Sequence, residues 1–320
     1  MDLKDKFKGA LVGTHVGDAL GMPVEGQPPE LIQMRFGQVT EMIEARMGAG
    51  TYTDDTEMMI AVAESLCRVK GIDGEDMANS FLNNFNPRRG YGRGTMEVLS
   101  LIKSGVSWEE GADKVFKGGS YGNGSAMRIA PLGCFYHNNW DKLKKGAFLS
   151  SRITHSHPLA LEGACLQALA VGKAVQMDPE EKLDPFQFLD DLRELLNPQE
   201  EVYQDKLVEI KKLLASSHHT GKVVEKLGND VRAFNSVPAA LYCFLAFHYS
   251  FEEALIQAVG MGGDTDTIGA MTGAISGAYH GFKKIPLHWL EELEDGEKGR
   301  SYIEKLAEKL YDNFLEVNNK

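Results

Sequence analysis

The sequence predicts an all-α protein, folded as a single compact domain of about thirteen or fourteen helices over residues 1–320. Apolar residues recur at helical spacing along most of the chain, which indicates amphipathic or buried helices. Sustained alternation of β-branched and polar residues is missing, and the Asn123-Gly124 pair lies in a glycine-rich loop rather than between two strand-like runs. A chain of 320 residues with 43% hydrophobic composition can also bury a large core.

The individual helices are predicted in chain order from their apolar patterns. We expect helices at about 6–20, 56–70, 75–84, 94–104, 108–115, 124–137, 158–176, 186–196, 205–216, 220–227, 231–247, 251–260, 266–281 and 300–316. An apolar run over residues 58–66 supports the second helix. The eighth and the last have one apolar face each, which is typical of helices that lie on the body of a protein. The apolar face of the last helix consists of Ile303, Leu306, Leu310, Phe314 and Leu315.

Glycine recurs at every fourth position in the first and the thirteenth predicted helices. The two stripes are Gly9, Gly13, Gly17 and Gly21, and Gly269, Gly273, Gly277 and Gly281. A glycine inside a helix costs about 1 kcal/mol relative to alanine, so four in register indicate a bare face that another backbone approaches closely. We therefore expect two central helices, each packed tightly against its neighbours, with the loop before the thirteenth helix held rigidly.

Charge and composition exclude several classes of partner. The formal net charge of −12 repels phosphate backbones, so we expect no non-specific nucleic-acid binding, whereas cations are attracted. No apolar stretch is long enough to span a membrane, and residues 1–6 lack a signal-peptide core, so we expect a cytoplasmic protein without a membrane partner. The cysteines form no C-x-x-C pair and are expected to be buried, reduced thiols: Cys67, Cys134, Cys165 and Cys243.

Two short acidic clusters lie near opposite ends of the chain, at residues 53–56 (Thr-Asp-Asp-Thr) and 262–267 (Gly-Gly-Asp-Thr-Asp-Thr). Helix capping explains one or two residues of each cluster. It explains Asp54 beside Asp55 poorly, because adjacent carboxylates repel each other unless a cation compensates them. If the clusters meet, they present four carboxylates and several hydroxyls, which are hard ligands suited to magnesium or manganese. The sequence therefore predicts a hydrolytic site with paired metal ions.

Further candidates are Glu25, a glycine-rich loop and a histidine pair. Glu25 follows the end of the first helix. Its carboxylate is either placed to reach a metal-bound water or is that of an ordinary exposed glutamate. Residues 118–124 (GGSYGNG) resemble a phosphate cradle before a helix start, with a flexible surface turn as the alternative. His155 and His157 form an H-x-H pattern between two helices, where zinc is not expected and a hydrogen bond to substrate is the other possibility.

Five ordered motifs resemble the ADP-ribosylglycohydrolase family. They are residues 17–21 (GDALG) with Glu25, 52–56 (YTDDT), 118–128 (GGSYGNGSAMR), 154–155 (TH) and 263–267 (GDTDT). The resemblance runs from about residue 8 to about residue 281, and within the family the chain is most similar to the ADP-ribosyl-acceptor hydrolase 3 type. It implies an all-α fold with two magnesium ions, or manganese, in a cleft.

The resemblance also implies a role for each residue that matches a motif. Glu25, Asp55 and Asp264 would be the catalytic residues. The metal ligands would be Glu25, Thr53, Asp54, Asp55, Asp264, Asp266 and Thr267. The substrate would contact Gly90, Gly92, Gly119, Ser120, Tyr121, Gly122, Asn123, His155 and Val237.

The implied function is metal-dependent hydrolysis of the anomeric C1″ bond of ADP-ribose, with release of ADP-ribose from serine-type acceptors or O-acetyl-ADP-ribose. The protein is expected to act as a monomer on an ADP-ribosylated protein or on O-acetyl-ADP-ribose. Two alternatives remain open. One is an arginine-ADP-ribose hydrolase of the dinitrogenase-reductase-activating type, and the other is a non-catalytic ADP-ribose-binding module.

Overall fold

The regular secondary structure in the described part of this protein is helical. The computed structural model describes residues 2–197, 199, 201–216 and 219–318, and these residues contain seventeen α-helices and no β-strand. The all-α prediction is confirmed. The helices are α1 (Leu3–Gly21), α2 (Pro29–Phe36), α3 (Asp54–Val69), α4 (Gly74–Asn84), α5 (Arg93–Lys103), α6 (Trp108–Val115), α7 (Ala130–Phe135), α8 (Trp140–Arg152), α9 (Pro158–Gln176), α10 (Pro185–Leu195), α11 (Glu201–Leu214), α12 (Thr220–Leu227), α13 (Ala233–Ala246), α14 (Phe251–Gly260), α15 (Thr265–His280), α16 (Leu287–Glu292) and α17 (Arg300–Asn318).

The two glycine-striped helices, α1 and α15, pack against each other in antiparallel orientation. A Cβ atom added to a facing glycine would lie only 2.0–2.4 Å from a carbonyl oxygen of the other helix, so no larger residue fits without separating the backbones. The facing pairs are Gly9 with Gly277, Gly13 with Gly273, and Gly17 with Gly269. The pairing brings the end of α1 next to the start of α15, which is where the second acidic cluster lies.

Every predicted helix has a counterpart in the structure, and three further helices were not predicted. The predicted helix at 124–137 is shorter, at Ala130–Phe135. The additional helices are α2, α8 and α16. In α8 the buried positions are Leu143, Gly146, Ala147, Ser150 and Ser151. Because only one of these side chains is large and apolar, the sequence shows little helical periodicity there. α2 and α16 have eight and six residues, too few for a clear pattern.

Helices from both ends of the chain contribute to one continuous hydrophobic core. α9 lies inside it and packs against α7, α8, α13 and α15. By length and composition α9 resembles a membrane-spanning helix, but 78% of its most apolar segment is buried within the protein, as in a core helix. The four cysteines are free and buried, as expected from their spacing.

Candidate active site and metal centre

Asp18, near the end of α1, holds the first acidic cluster in place. Its side chain is fully buried and accepts hydrogen bonds from the backbone N–H groups of Thr53 and Thr56 at 3.0–3.1 Å. The Thr56 hydroxyl donates a further bond at 2.6 Å. Thr53 caps α3, because its Oγ1 accepts from the N–H of Asp55 at 3.3 Å. The first turn of α3, with Asp54 and Asp55, is thereby fixed against the end of α1.

The second acidic cluster is fixed to the loop that carries Glu25. The N–H of Gly26 donates to the carbonyl of Gly263 at 2.7 Å, and the N–H of Gly263 donates to the carbonyl of Gln27, in the same loop as Glu25, at 2.9 Å. Gly263 has a φ of +71°, and a Cβ atom there would lie 2.1 Å from the carbonyl oxygen of Asn229, so this turn requires glycine. These contacts place Glu25 beside Asp264, at the start of α15.

The two clusters meet in space. Carboxylate oxygens of Glu25, Asp264 and Asp266 all lie within 4.8 Å of one another, which is close enough for them to share a metal ion. Asp54 and Asp55 face the same group, since the charge of Asp264 acts on both of them and that of Glu25 acts on Asp54. Five carboxylates from distant parts of the sequence therefore surround one small region.

Burial and mutual repulsion raise the pKa values of these carboxyl groups. The pKa of Asp264 rises to about 6, chiefly because burial disfavours its charged form. The pKa of Asp54 rises to about 8, through burial first and then through repulsion by Asp18. Burial, followed by the charges of neighbouring carboxylates, also raises the pKa of Asp55 and of Asp266 well above the usual range. A divalent cation in this region would favour the ionised forms and oppose these shifts.

The donor atoms of this region fit magnesium or manganese. Carboxylate oxygens are hard ligands, and in the part of the chain that the structure describes neither histidine nor cysteine belongs to this group. Oδ1 of Asp55 is buried and accepts no hydrogen bond from the described residues, so a bound cation would supply its missing partner. Thr267 is 4% exposed and lies beside Asp55 and Asp264, where its hydroxyl adds a further oxygen.

Arg46, on the loop between α2 and α3, covers the solvent side of this carboxylate group. Its Nη1 lies 2.6 Å from Oε2 of Glu25, and its Nη2 lies 3.5 Å from Oδ2 of Asp266. Among the described residues, no other basic side chain forms an ion pair with the group. The side chains of Arg46, Glu25 and Asp266 are 46%, 32% and 6% exposed, so the arginine lies at the rim and the aspartate at the base.

The glycine-rich loop joins the carboxylate group through Asn123. The side-chain amide of Asn123 donates to Oδ2 of Asp264 and, at 2.9 Å, to the hydroxyl of Ser236. Within the loop, Oγ of Ser120 accepts from the N–H of Gly122 at 3.2 Å. The loop is therefore ordered by its own contacts and lies directly beside the second acidic cluster.

The two histidines of the H-x-H pattern point to different places and make different contacts. His155 is buried, its Nδ1 pairs with the Thr154 hydroxyl at 2.8 Å, and burial lowers its pKa to about 3, so the ring is neutral at pH 7. A Cβ atom added to Gly122 would lie 3.3 Å from Nε2 of His155, so the ring packs directly against the glycine-rich loop. His157 instead caps α9, and its ring meets that of Tyr121 edge-on at 5.5 Å between centroids. Tyr121 is 48% exposed, with part of its ring open to solvent.

The remaining residues expected to contact a substrate differ in their distance from the carboxylates. A Cβ atom on Gly90 would lie 3.2 Å from Nη2 of Arg46 and 3.9 Å from Oδ1 of Asp54, so Gly90 borders the site. Gly92 is exposed, with open space around it. Val237 is fully buried in the second turn of α13 and has no surface to offer a ligand in this structure.

Sequence reasoning missed two residues of this site, Asp18 and Arg46. Asp18 had a usable signal, because it directly follows Gly17 of the glycine stripe. A carboxylate in such a tightly packed helix must be buried and hydrogen-bonded. Arg46 had none, since it lies in an irregular loop where no periodicity indicates the direction of a side chain.

Comparisons with known proteins give one consistent result. A family model described as ADP-ribosylglycohydrolase matches residues 1–319. The ADP-ribosylhydrolase ARH3 of Bos taurus is 35% identical, over 97% of this chain and 93% of the relative. The ADP-ribosyl-(dinitrogen reductase) glycohydrolase of Rhodospirillum rubrum is 29% identical, over 91% of this chain and 90% of the relative. A solved structure described as an ADP-ribosylglycohydrolase-related protein complex superposes with a TM-score of 0.72 and 31% identity, over 98% of this chain and 99% of that one.

Proposed function

Because this chain belongs to the ADP-ribosylglycohydrolase family, we propose that it hydrolyses the bond at the anomeric C1″ of ADP-ribose. The released acceptor would be of the serine type, or acetate from O-acetyl-ADP-ribose. The observation that carries the proposal is the approach of Glu25, Asp264 and Asp266 to within 4.8 Å of one another, together with a buried, unpaired carboxylate oxygen on Asp55 among the described residues. The resemblance to the acceptor hydrolase 3 type supports the choice of acceptor.

Two divalent cations, magnesium or manganese, are the proposed cofactors. When bound, they would acidify a water and polarise the ribose hydroxyls. The residues that would hold them are Glu25, Thr53, Asp54, Asp55, Asp264, Asp266 and Thr267. Asp18 would keep the first turn of α3 in position for this task without binding metal itself, because its oxygens are already engaged by Thr53 and Thr56.

Glu25 is the carboxylate best placed to exchange a proton with the acceptor. At 32% exposure its side chain lies nearer the solvent than Asp264 or Asp266, on the side from which a substrate would approach. In the proposed reaction a water oxygen bonds to C1″ while the bond from C1″ to the acceptor oxygen breaks. The attacking water gives up a proton to the Glu25 carboxylate, directly or through a second water, and the same group returns a proton to the departing acceptor oxygen. Asp55 and Asp264 would stabilise the positive charge that develops on the ribose.

The glycine-rich loop is the proposed binding surface for the rest of ADP-ribose. Exposed N–H groups and the Ser120 hydroxyl would bind the pyrophosphate, and the half-exposed ring of Tyr121 would stack on a ribose or a base. His155, being neutral, would act as a hydrogen-bonding partner rather than a charge. The proposed substrate contacts are Gly90, Gly92, Gly119, Ser120, Tyr121, Gly122, Asn123, His155 and Val237. Val237 is retained on the resemblance alone, because it is buried.

Product release tests this proposal. A serine-ADP-ribosylated peptide and O-acetyl-ADP-ribose are incubated with the protein and magnesium, and free ADP-ribose is measured. We expect release that EDTA abolishes and that an Asp264→Ala variant lowers by at least about 100-fold, because that carboxylate is lost from the centre of the site. Circular dichroism shows whether the variant remains folded. Turnover undiminished by EDTA, or no turnover of either compound, would contradict the proposal.

A second candidate function is arginine-ADP-ribose hydrolysis. Its support is the similarity to the dinitrogen reductase glycohydrolase of Rhodospirillum rubrum, which is weaker than the similarity to the cattle protein. Parallel assays on serine- and arginine-modified peptides separate the two. A non-catalytic ADP-ribose-binding module would bind ADP-ribose in calorimetry without turnover, and the retention of every acidic motif residue argues against it.

The cellular setting is also a proposal. Four free, buried thiols suit a reducing compartment, so we propose a cytoplasmic protein. We further propose that it acts as a monomer on ADP-ribosylated proteins or O-acetyl-ADP-ribose. Its net charge of −12 disfavours non-specific nucleic-acid binding. Sedimentation velocity would test the oligomeric state.

A further inference from the structure

The loop that carries Arg46 is anchored on both sides of this residue. The carbonyl of Thr40 accepts from Nε1 of Trp289 at 2.7 Å. On the other side, the N–H of Tyr52 donates to Oε1 of Glu294 at 3.0 Å. The exposed middle of the loop therefore spans two fixed points, and Arg46 projects from it over the carboxylates. Its guanidinium is held by its ion pair with Glu25 and by this framework.

This position matters for the acceptor, on the premise that the proposed function is correct. In that reaction the acceptor atom lies within hydrogen-bonding reach of Glu25, whose Oε2 is 2.6 Å from Nη1 of Arg46. An acceptor hydrogen-bonded to this same oxygen would lie roughly 6 Å or less from the guanidinium nitrogen. An acceptor attached to a protein must also extend toward solvent, and the solvent side is where Arg46 lies.

We infer that Arg46 selects the acceptor: it favours uncharged acceptors, such as a serine oxygen, over cationic ones, such as an arginine guanidinium. Like charges at this separation repel each other. The carboxylate of Glu25, which would otherwise attract a cationic acceptor, is already paired. The other charged groups that face this position are the carboxylates of Asp54, Asp264 and Asp266, whose charge the proposed cations would compensate, so removal of Arg46 takes one positive charge from the acceptor side of the loaded site.

The experiment compares two peptides of the same sequence, with the same ADP-ribose attached to serine in one and to arginine in the other. The measured quantity is the ratio of kcat/KM for serine to kcat/KM for arginine. Arg46→Gln should lower this ratio about tenfold, the change expected when a partly screened charge is removed, and Arg46→Lys should largely keep it. Higher ionic strength should lower the ratio of the wild-type protein but not that of Arg46→Gln. Both substrates use one metal site, so changes in metal loading or folding cancel in the ratio.

Arg68→Gln is the matched control. Arg68 is 49% exposed, against 46% for Arg46, and is also paired with a carboxylate, but it lies in the last turn of α3, far from the first turn where the site is. The control should keep the wild-type ratio. If the wild-type protein cleaves no arginine-linked peptide, new cleavage by Arg46→Gln is the expected result.

Several outcomes would overturn the inference. One is an Arg46→Gln variant that cleaves the serine peptide with an unchanged ratio or without any gain on arginine. Another is an Arg46→Lys variant that behaves like Arg46→Gln, because the selection would then not depend on charge. A wild-type protein that prefers the arginine peptide would also contradict it. Turnover of neither peptide by the wild-type protein would also overturn this inference, and if O-acetyl-ADP-ribose is not cleaved either, the proposed function is overturned with it.

Discussion

Asp18 shows at the level of a single residue how the carboxylates of the site are held in place. Burial raises the pKa of this carboxyl group to about 6, although hydrogen bonds from Thr56 and Thr53 oppose the shift. Those bonds tie α1 to the first turn of α3, where Asp54 and Asp55 lie. Asp18 is therefore a positioning residue, which acts through the groups that it orients.

Replacement of Asp18 by asparagine should weaken metal binding without removing a ligand. The amide nitrogen cannot accept the bonds from Thr53 and Thr56, so we expect a loss of about 1–3 kcal/mol in the free energy of unfolding. We also expect manganese affinity, measured by calorimetry, to fall about 10–100-fold, as for other residues that orient ligands. Asp191→Asn, on the surface of α10, is the control and should leave the affinity unchanged. Unchanged manganese affinity in Asp18→Asn would show that the hydrogen bonds from Thr53 and Thr56 to Asp18 are not needed for metal binding.

The pair of α1 and α15 explains at the level of elements why the two acidic clusters meet. Glycine on both faces allows the backbones to touch, and the antiparallel contact aligns the end of one helix with the start of the other. A hydrogen bond joins these two helix ends, because the hydroxyl of Thr265 donates to the carbonyl of Gly21 at 2.8 Å. The same small residues that weaken each isolated helix therefore position the carboxylates.

Gly273→Ala tests this packing. Helix propensity alone favours alanine by about 1 kcal/mol. The new Cβ atom would lie 2.0 Å from the carbonyl oxygen of Gly13, so we expect instead a loss of roughly 3 kcal/mol or more in the free energy of unfolding, measured with urea. Gly260→Ala, in the last turn of α14, has no atom within 4 Å of its added Cβ and should be neutral or slightly stabilising. Equal effects of the two substitutions would refute the close-contact explanation.

At the same scale, the sequence predicted those helices whose buried faces are long and apolar. α8 escaped prediction because Gly146, Ser150 and Ser151 form much of its buried face, and small or hydroxyl-bearing residues do not mark a core position. Only Ile32 is buried in α2, which leaves no repeat to detect. Such helices are stabilised by their tertiary neighbours, and a single sequence does not display those neighbours.

At the scale of the whole molecule, the motifs carried more information than the periodicity. The family expected from five ordered motifs is confirmed by the match over residues 1–319. Local patterns such as Asp54 beside Asp55 indicated a cation, but they could not show that Glu25 and Asp264 are joined through the backbone of Gly26 and Gly263. That contact depends on the long-range pairing of helices from opposite ends of the chain.

Stability should depend on pH and metal together. The pKa values of Asp18 and Asp264 rise to about 6 and that of Asp54 to about 8, from an ordinary value near 3.8. Between about pH 4 and pH 8 the folded protein thus holds more protons than the unfolded chain, so this contribution to stability is present at low pH and is lost as pH rises. In EDTA we therefore expect these groups to lower the melting temperature between pH 5 and pH 8.

Magnesium should offset this loss, because it binds the ionised carboxylates. At a 100-fold excess over its dissociation constant it adds about 2.7 kcal/mol. The rise in melting temperature on adding magnesium should be larger at pH 8 than at pH 5, as measured by scanning calorimetry. An equal rise at both pH values would mean that these carboxyl groups do not bind the ion.

The most direct test of the metal centre is anomalous scattering from crystals soaked in manganese. We predict manganese peaks within about 2.5 Å of carboxylate oxygens from both acidic clusters, including Asp264 or Asp266 and Asp54 or Asp55. Crystals of active protein with no peak in this region, or with manganese bound only elsewhere, would contradict the central claim that carboxylates from the two ends of the chain form one metal site.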